Sequence, residues 1–162
     1  MSRSHPGGTA RIRLMKEDEA DLCEAILREL PDWFGIEESI VQYAKDLSKM
    51  ETYVAELDET IGGFLTLSQH NPHSAEIQVM AIRRQYHRQG LGRALVVNAE
   101  QVLKQRGTTY LEVKTLGPSR PNEHYGRTRD FYVAMGFCPL EENRLWGERN
   151  PCLILVKHLT CR

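Results

Sequence analysis

The chain has almost no net charge. Its 21 Lys and Arg residues are offset by 22 Asp and Glu residues, which gives a formal charge of −1 at pH 7. A general nucleic-acid binder takes its affinity from basic residues that neutralise phosphates. The charge balance therefore argues against nucleic acid as a partner, although it leaves room for a local basic patch.

Long apolar runs are also lacking. No stretch approaches the roughly 20 apolar residues that a helix needs to span a bilayer. The first ten residues, MSRSHPGGTA, contain no apolar core of a secretory signal. We therefore expect no membrane partner, a cytoplasmic location, a flexible tail over residues 1–9, and a single domain over residues 10–162, which is long enough for a hydrophobic core.

Cysteine is scarce and follows no motif, because its four positions form neither a CxxC pair nor a zinc-finger spacing. They are Cys23, Cys138, Cys152 and Cys161. We expect reduced, mostly structural thiols. His70 and His73 flank an Asn-Pro pair that is typical of a turn. No third ligand follows at a useful spacing, so the sequence predicts no metal site.

The hydrophobic pattern predicts a mixed α/β chain with an antiparallel meander in its middle. Helices are predicted at 17–30, 35–47, 91–105 and 126–135. Strands are predicted at 11–16, 52–57, 60–68, 75–82, 109–116, 137–142 and 151–158. The strand-helix-strand unit over 75–116 should form a right-handed parallel crossover.

Two glycines one residue apart stand between a predicted strand and a predicted helix, in the stretch HRQGLGRAL over residues 87–95. A helix N-terminus presents unpaired N–H groups and a partial positive charge, so it binds anions. Gly90 and Gly92 remove the Cβ atoms that would hold a bulky phosphate away. A P-loop needs Lys and then Ser or Thr after its last glycine, and here Arg93-Ala94 follows Gly92. A dinucleotide-binding GxGxxG motif that starts at Gly90 would need a third glycine at position 95, where this chain has leucine.

The segment AEIQVMAIRRQYHRQGLGRAL, residues 75–95, resembles the strand, turn and helix of the GNAT superfamily of N-acetyltransferases. The turn of that family reads Arg/Gln-x-x-Gly-x-Gly/Ala, and this chain departs from it with His87 in the first position. A second segment, TRDFYVAMGF over residues 128–137, is similar to the late Phe-Tyr-x-x-x-Gly-Phe motif of the family. The order of predicted elements resembles the family along residues 10–159.

The resemblance implies a twisted, mostly antiparallel sheet of six to seven strands flanked by four helices, with the parallel crossover at the cofactor site. It implies acetyl-CoA as the cosubstrate and no metal. The backbone N–H of Met80 would hold the thioester oxygen, and Ile82 would offer backbone groups to the pantetheine arm. The pyrophosphate would meet the turn, which consists of His87, Arg88, Gln89, Gly90, Leu91, Gly92 and Arg93.

Two residues are expected to carry the chemistry. Tyr132 matches the family tyrosine that protonates or orients the leaving thiolate, and the alternative is a tyrosine that only packs between helix and sheet. Glu76 occupies a position that some members use for the carboxylate that accepts the amine proton. Strand alternation would place Glu76, Gln78, Met80 and Ile82 on one face. The alternative for Glu76 is a solvent-exposed carboxylate.

The binding site for the amine acceptor is predicted from the segment PDWFGIEES, residues 31–39. Trp33, Phe34 and Glu37 would form an aromatic wall with a carboxylate, which suits a cationic amine. The same residues also fit a hydrophobic staple and first-turn acids favoured by the helix dipole.

The predicted function is transfer of an acetyl group to a primary amine of a small molecule by direct attack in a ternary complex. Two alternatives stay open: a protein or peptide N-acetyltransferase, and a non-catalytic acyl-CoA-binding sensor. The sequence also leaves open a homodimer, since two-fold dimers are the commonest homo-oligomers.

Overall fold

The computed structural model describes residues 10–159, so the predicted tail over 1–9 and Cys161 lie outside the described residues. The α-helices are α1 Ala20–Arg28, α2 Glu37–Leu47, α3 Leu91–Gln105 and α4 Glu123–Ala134. The strands are β1 Arg11–Leu14, β2 Glu51–Leu57, β3 Thr60–Asn71, β4 Ser74–Ile82, β5 Tyr110–Leu116, β6 Cys138–Asn143 and β7 Cys152–His158. Across these described residues, no helix combines the length and apolarity needed to cross a membrane.

The strands form one sheet in the order β1-β2-β3-β4-β5-β7-β6. Every neighbouring pair is antiparallel except β4 and β5, which are joined through α3 and run parallel. The predicted architecture is therefore confirmed, including the crossover. Strand β2 turns into β3 at Asp58-Glu59, where both residues take positive φ angles of 48° and 64°, as a tight two-residue hairpin requires.

Each face of the sheet has its own hydrophobic core. Helices α1 and α2 cover one face, where Ile26, Leu27 and Leu47 pack against Phe64 and Val79. Helix α3 and the end of α4 cover the other face and form a second cluster with it. This α3 core includes Leu91, Leu95, Leu103, Tyr132, Leu65 and Ile77. Both helices of the first pair place apolar residues at helical spacing toward the sheet, as the sequence predicts.

Strands β4 and β5 pair over only part of their length. Their ladder starts at Ser74 opposite Tyr110 and ends at Ile77 opposite Val113. Strand β4 nevertheless continues to Ile82, and β5 continues to Leu116. One edge of β4 from residue 78 onward therefore has no strand beside it, and the sheet is open at this point.

The strand-alternation prediction for β4 is wrong, because the strand carries a β-bulge. Thr66 pairs with Val79 and Leu67 pairs with Ile77, which leaves Gln78 without a partner. A bulge inserts one extra residue and so reverses the alternation beyond it. Ile77, Met80 and Ile82 consequently pack with the α3 core, whereas Val79 packs with the α1–α2 core. Glu76, next to Ile77, faces α1 and α2.

Element boundaries differ from the sequence predictions mainly at helix starts. Residues 17–19 form a short 3-10 helix before α1, and α1 ends at Arg28 rather than at residue 30. Helix α4 begins at Glu123 because the Asn122 side chain accepts a hydrogen bond from the Tyr125 amide at 3.1 Å. An asparagine cap of this kind satisfies one of the free N–H groups of a helix start.

Candidate active site

A cavity of about 790 Å³ opens where β4 and β5 separate. Its walls come from both faces of the sheet, so it passes between the two strands. On the α3 and α4 side it is lined by Met80, Ile82, Gly92, Phe131 and Tyr132. On the α1 and α2 side it is lined by Leu30, Trp33, Phe34, Tyr43, Glu76 and Lys114.

The glycine turn forms the rim of this cavity at the start of α3. Arg88 and Gly90 both adopt left-handed backbone angles, with φ of 64° and 82°. Within residues 10–159, the backbone amides of Arg88 through Arg93 donate no hydrogen bond. A Cβ atom built on Gly92 would lie 3.4 Å from the Phe131 ring and 3.7 Å from Met80 Cε. The turn thus presents a row of free N–H groups, as an anion site requires.

His87 lies in the turn, but its side chain points back at the strand. Its Nε2 lies 2.7 Å from the carbonyl oxygen of Ile82, and its backbone amide donates to the carbonyl of Arg84 at 3.2 Å. The His87 side chain therefore fixes the end of β4 against the turn. Histidine in the first motif position therefore holds the shape of the loop.

Tyr132 is buried inside the cavity wall with 4% of its surface exposed. Its ring packs edge-on between Phe131 and Phe137, with centroids 5.1 Å and 5.3 Å away. Burial raises the pKa of the Tyr132 hydroxyl well above its usual range. The hydroxyl is consequently protonated throughout the neutral range and can donate a proton or a hydrogen bond into the cavity.

Glu76 is buried with 7% of its surface exposed, so the alternative of a solvent-exposed carboxylate is wrong. Lys114 Nζ lies 3.0 Å from each of the two Glu76 carboxylate oxygens and 2.9 Å from Glu112 Oε1. His70 Nε2 lies 3.0 Å from Glu76 Oε1. The carboxylate therefore has a fixed orientation, with one side on the cavity and the other on His70.

The strands bring together three potential metal ligands that the sequence spacing did not reveal. One ligand atom each from His70, Glu76 and Glu112 lies within 4.8 Å of the others. They come from β3, β4 and β5, so no local motif could have indicated them. The Lys114 ammonium already bonds both carboxylates, which gives this set the composition of an ion-pair cluster rather than of an open cation site.

The α1–α2 loop, residues 29–36, lines the cavity on the side of α1 and α2. The Trp33 indole N–H points at Thr128 Oγ1 at 3.1 Å and at the carbonyl of His124 at 3.3 Å. The Tyr125 hydroxyl donates to the Trp33 carbonyl. Phe34 packs edge-on against Tyr43. The predicted aromatic wall exists, and it is tied to α4 by hydrogen bonds.

Glu37 is not part of this wall. Its carboxylate lies 2.8 Å and 3.0 Å from the guanidinium of Arg28, and 63% of its side chain is exposed. The hydrogen bonds from Arg28 lower the pKa of Glu37. Glu37 starts α2, where its carboxylate suits the helix dipole and reaches α1. The prediction that Glu37 joins Trp33 and Phe34 in one wall is therefore wrong, and the Glu76 carboxylate lines the cavity instead.

The chain matches the model of the acetyltransferase (GNAT) family over residues 19–137, which is well over half of its length. It therefore belongs to that family and is an acetyl-transferring enzyme. Acetyl-CoA is the cosubstrate of this family, as the resemblance in the glycine turn implied. Both motifs identified in the sequence, residues 87–92 and 128–137, fall within the matched segment.

Individual relatives are distant. An uncharacterized N-acetyltransferase of Chlorobaculum tepidum is 24% identical over 128 residues, which cover 76% of this chain and 70% of that protein. The ribosomal-protein-S18-alanine N-acetyltransferase of Escherichia coli superimposes with a TM-score of 0.77 at 17% identity, over 95% of this chain and 96% of that one. An aminoglycoside 6'-N-acetyltransferase complexed with coenzyme A superimposes with a TM-score of 0.72 at 16% sequence identity. The superposition covers 94% of this chain and 98% of that one. At these identities the structures share the fold alone.

Proposed function

We propose that the protein transfers the acetyl group of acetyl-CoA to a primary amine of a small molecule, by direct attack within a ternary complex. The observation that carries this proposal is the cavity between β4 and β5. It connects the glycine turn, Tyr132 and Glu76 in one space that opens toward both faces of the sheet. Two substrates can therefore meet from opposite sides, the cofactor along α3 and the amine from beneath α1 and α2.

The cofactor fits the α3 side of the cavity. Its pyrophosphate would accept hydrogen bonds from the free amides of residues 88–93, and the cationic side chains of Arg88 and Arg93 line the same rim. Its pantetheine arm carries amide groups that suit the edge of β4 left without a neighbouring strand. The backbone N–H of Met80 would then donate to the thioester oxygen and stabilise the oxyanion as it forms.

The acetyl transfer divides between two side chains. The neutral amine attacks the thioester carbon with its nitrogen lone pair, and the one proton that the nitrogen sheds as the C–N bond forms passes to Glu76, directly or through one water. The C–S bond of the tetrahedral intermediate then breaks as the new amide forms. The departing sulfur takes the proton of the Tyr132 hydroxyl, which solvent later replaces. General acid and base groups held in place contribute about 10²- to 10⁴-fold to such a reaction.

A small acceptor is favoured over a protein by the α1–α2 loop. This loop lies over the amine side of the cavity and is bonded through Trp33 to α4 and through Asp32 to Arg84, at 3.2 Å. A polypeptide would need an open groove across this surface. Fold similarity does not decide the question, since the solved neighbours act on a ribosomal protein in one case and on aminoglycosides in another.

The first test is calorimetric titration with acetyl-CoA, with ATP and NAD as controls. We expect saturable binding at one site for acetyl-CoA and none for the two nucleotides. A panel of small amines and free-N-terminus peptides, followed by thiol release, then identifies the acceptor class. Preference for ATP or NAD would contradict the cofactor site. Binding without thiol release from any amine would instead favour an acyl-CoA sensor.

Replacement of Trp33 tests the size of the acceptor site. Trp33→Ala removes the ring that ties the loop to α4, so we expect KM for a small amine to rise about tenfold, as for a central contact residue. The Kd of acetyl-CoA, measured by calorimetry, should change less than about twofold. Trp33→Phe is the matched control, which keeps one six-membered aromatic ring and loses the five-membered ring that carries the indole N–H. An unchanged amine KM in Trp33→Ala would place the acceptor elsewhere.

A further inference from the structure

The cluster around Glu76 connects the cavity with solvent. Glu76 lines the cavity, whereas its partner His70 lies on the far side and has 41% of its side chain exposed. The distance from His70 Nε2 to Glu76 Oε1 is 3.0 Å, which is a hydrogen bond. Glu76 itself has 9% of its side chain exposed. A buried proton acceptor thus touches one exposed imidazole.

The Lys114 ammonium cannot serve as this exit. All contacts of the Lys114 ammonium within the cluster are to carboxylates, at 3.0 Å from Glu76 and 2.9 Å from Glu112, and an ammonium offers only donors. Glu112 Oε1 lies 3.7 Å from His70 Nε2 and so also faces the imidazole.

We propose that His70 is a positioning and proton-transfer residue that carries the amine proton from Glu76 to solvent, which rests on the proposed function. The proton first breaks its bond to the amine nitrogen and forms an O–H bond on Glu76. It then crosses the Glu76 Oε1–His70 Nε2 hydrogen bond to a neutral imidazole protonated on Nδ1. The resulting imidazolium releases its Nδ1 proton to water or buffer, which leaves a neutral ring protonated on Nε2. Exchange of the ring proton from Nε2 back to Nδ1 through solvent then restores the starting state, and Glu76 is again a carboxylate.

The titratable groups that face the cluster come from every element packed around it. Lys114 and Glu112 come from β5 and Tyr43 from α2, and Cys152 contributes a thiol from β7. Burial raises the pKa of both the Tyr43 hydroxyl and the Cys152 thiol, so both are neutral at neutral pH. His70 is the member of this set whose exposed ring carries a proton acceptor on one nitrogen and a proton donor on the other.

The test compares His70→Ala, His70→Gln and His73→Ala by steady-state kinetics against pH. We expect kcat to fall about 10- to 100-fold in both His70 variants, because a positioned base contributes at least that much. KM for acetyl-CoA should be unchanged. Added imidazole should restore the kcat of His70→Ala in a saturable way, since it can occupy the vacated site. His73→Ala removes an exposed histidine of the same hairpin and should behave as wild type.

A second arm shows whether His70 acts through Glu76. In a Glu76→Gln background, His70→Ala should cause no further fall in kcat, because the two residues then lie on one route. Glutamine at position 70 can keep a hydrogen bond to Glu76 yet cannot carry the proton, so His70→Gln separates proton transfer from support of the fold.

Three results would overturn the proposal. One is a wild-type pH profile and kcat in His70→Gln. Another is a loss in His70→Ala that imidazole does not restore, which would indicate a purely structural role. A third is full additivity of the two losses. If the wild-type protein releases no thiol with any amine, the proposed function itself fails, and the role of His70 fails with it; that outcome is visible before any variant is made.

Discussion

Replacing Gly92 with glutamate should abolish acetyl-CoA binding. The Cβ of any residue at this position would already touch the Phe131 ring at 3.4 Å, so a longer side chain must extend toward the rim of the cavity. There its carboxylate would meet the pyrophosphate beside the free amides of residues 88–93. Like charges at a buried interface cost several kcal/mol, so we expect at least about a 100-fold weaker Kd.

Gly126→Glu is the matched control for this change. Gly126 is also in a helix, α4, and a Cβ built there meets only Arg129 at 3.7 Å. It does not line the cavity. We expect Gly126→Glu to bind acetyl-CoA with wild-type affinity in the same titration. Wild-type affinity in a folded Gly92→Glu protein, judged by circular dichroism, would show that the pyrophosphate lies elsewhere.

Replacing Tyr132 with phenylalanine should lower kcat about 100-fold and leave the acetyl-CoA Kd nearly unchanged. The substitution keeps the ring, which packs between Phe131 and Phe137, and removes only the hydroxyl that we propose donates to the leaving sulfur. Removing a general acid costs about 10²-fold or more. Single-turnover thiol release, monitored at saturating acetyl-CoA, measures this directly.

The pH dependence adds an independent check on Tyr132. Its pKa is raised by burial, so the hydroxyl keeps its proton below about pH 10, the ordinary tyrosine value. No alkaline fall in kcat should therefore come from Tyr132 at neutral or mildly basic pH. Tyr53→Phe, which removes a hydroxyl bonded to Glu51 and remote from the cavity, is the control. Equal activity of Tyr132→Phe and wild type across pH would refute the assignment as acid.

The parts of the site that could be predicted are those encoded by local sequence. The turn at residues 87–92 combines left-handed glycine geometry with a helix start, and both leave a signature over a few residues. The order of elements along the chain followed from the apolar patterns, and the parallel crossover over residues 75–116 followed from the strand-helix-strand unit. The aromatic wall of Trp33 and Phe34 could also be predicted, because the two residues are adjacent in one loop.

The parts that could not be predicted depend on contacts between strands. The bulge at Gln78 follows from how β4 pairs with β3, and no residue type near it signals an extra residue. The bulge puts Glu76 and Met80 on opposite faces, although their spacing suggested one face. The partners of Glu76 lie on β3 and β5, so only the assembled sheet reveals them. Glu37 looked suitable for the aromatic wall because it is an acidic residue close to Trp33 and Phe34 in the sequence. In the fold its carboxylate is hydrogen-bonded to Arg28 of the neighbouring helix.

The short β4–β5 ladder divides the sheet into two groups of strands, which we call plates. One plate contains β1 to β4 and the other contains β5, β7 and β6, and their shared ladder runs only from Ser74–Tyr110 to Ile77–Val113. This joint is only about 10 Å long, at roughly 3.3 Å per residue. The bond between Glu76 and Lys114 bridges the two plates at the end of the joint. The ion pair that orients the Glu76 carboxylate thus also ties the two halves of the sheet together where their backbone pairing stops.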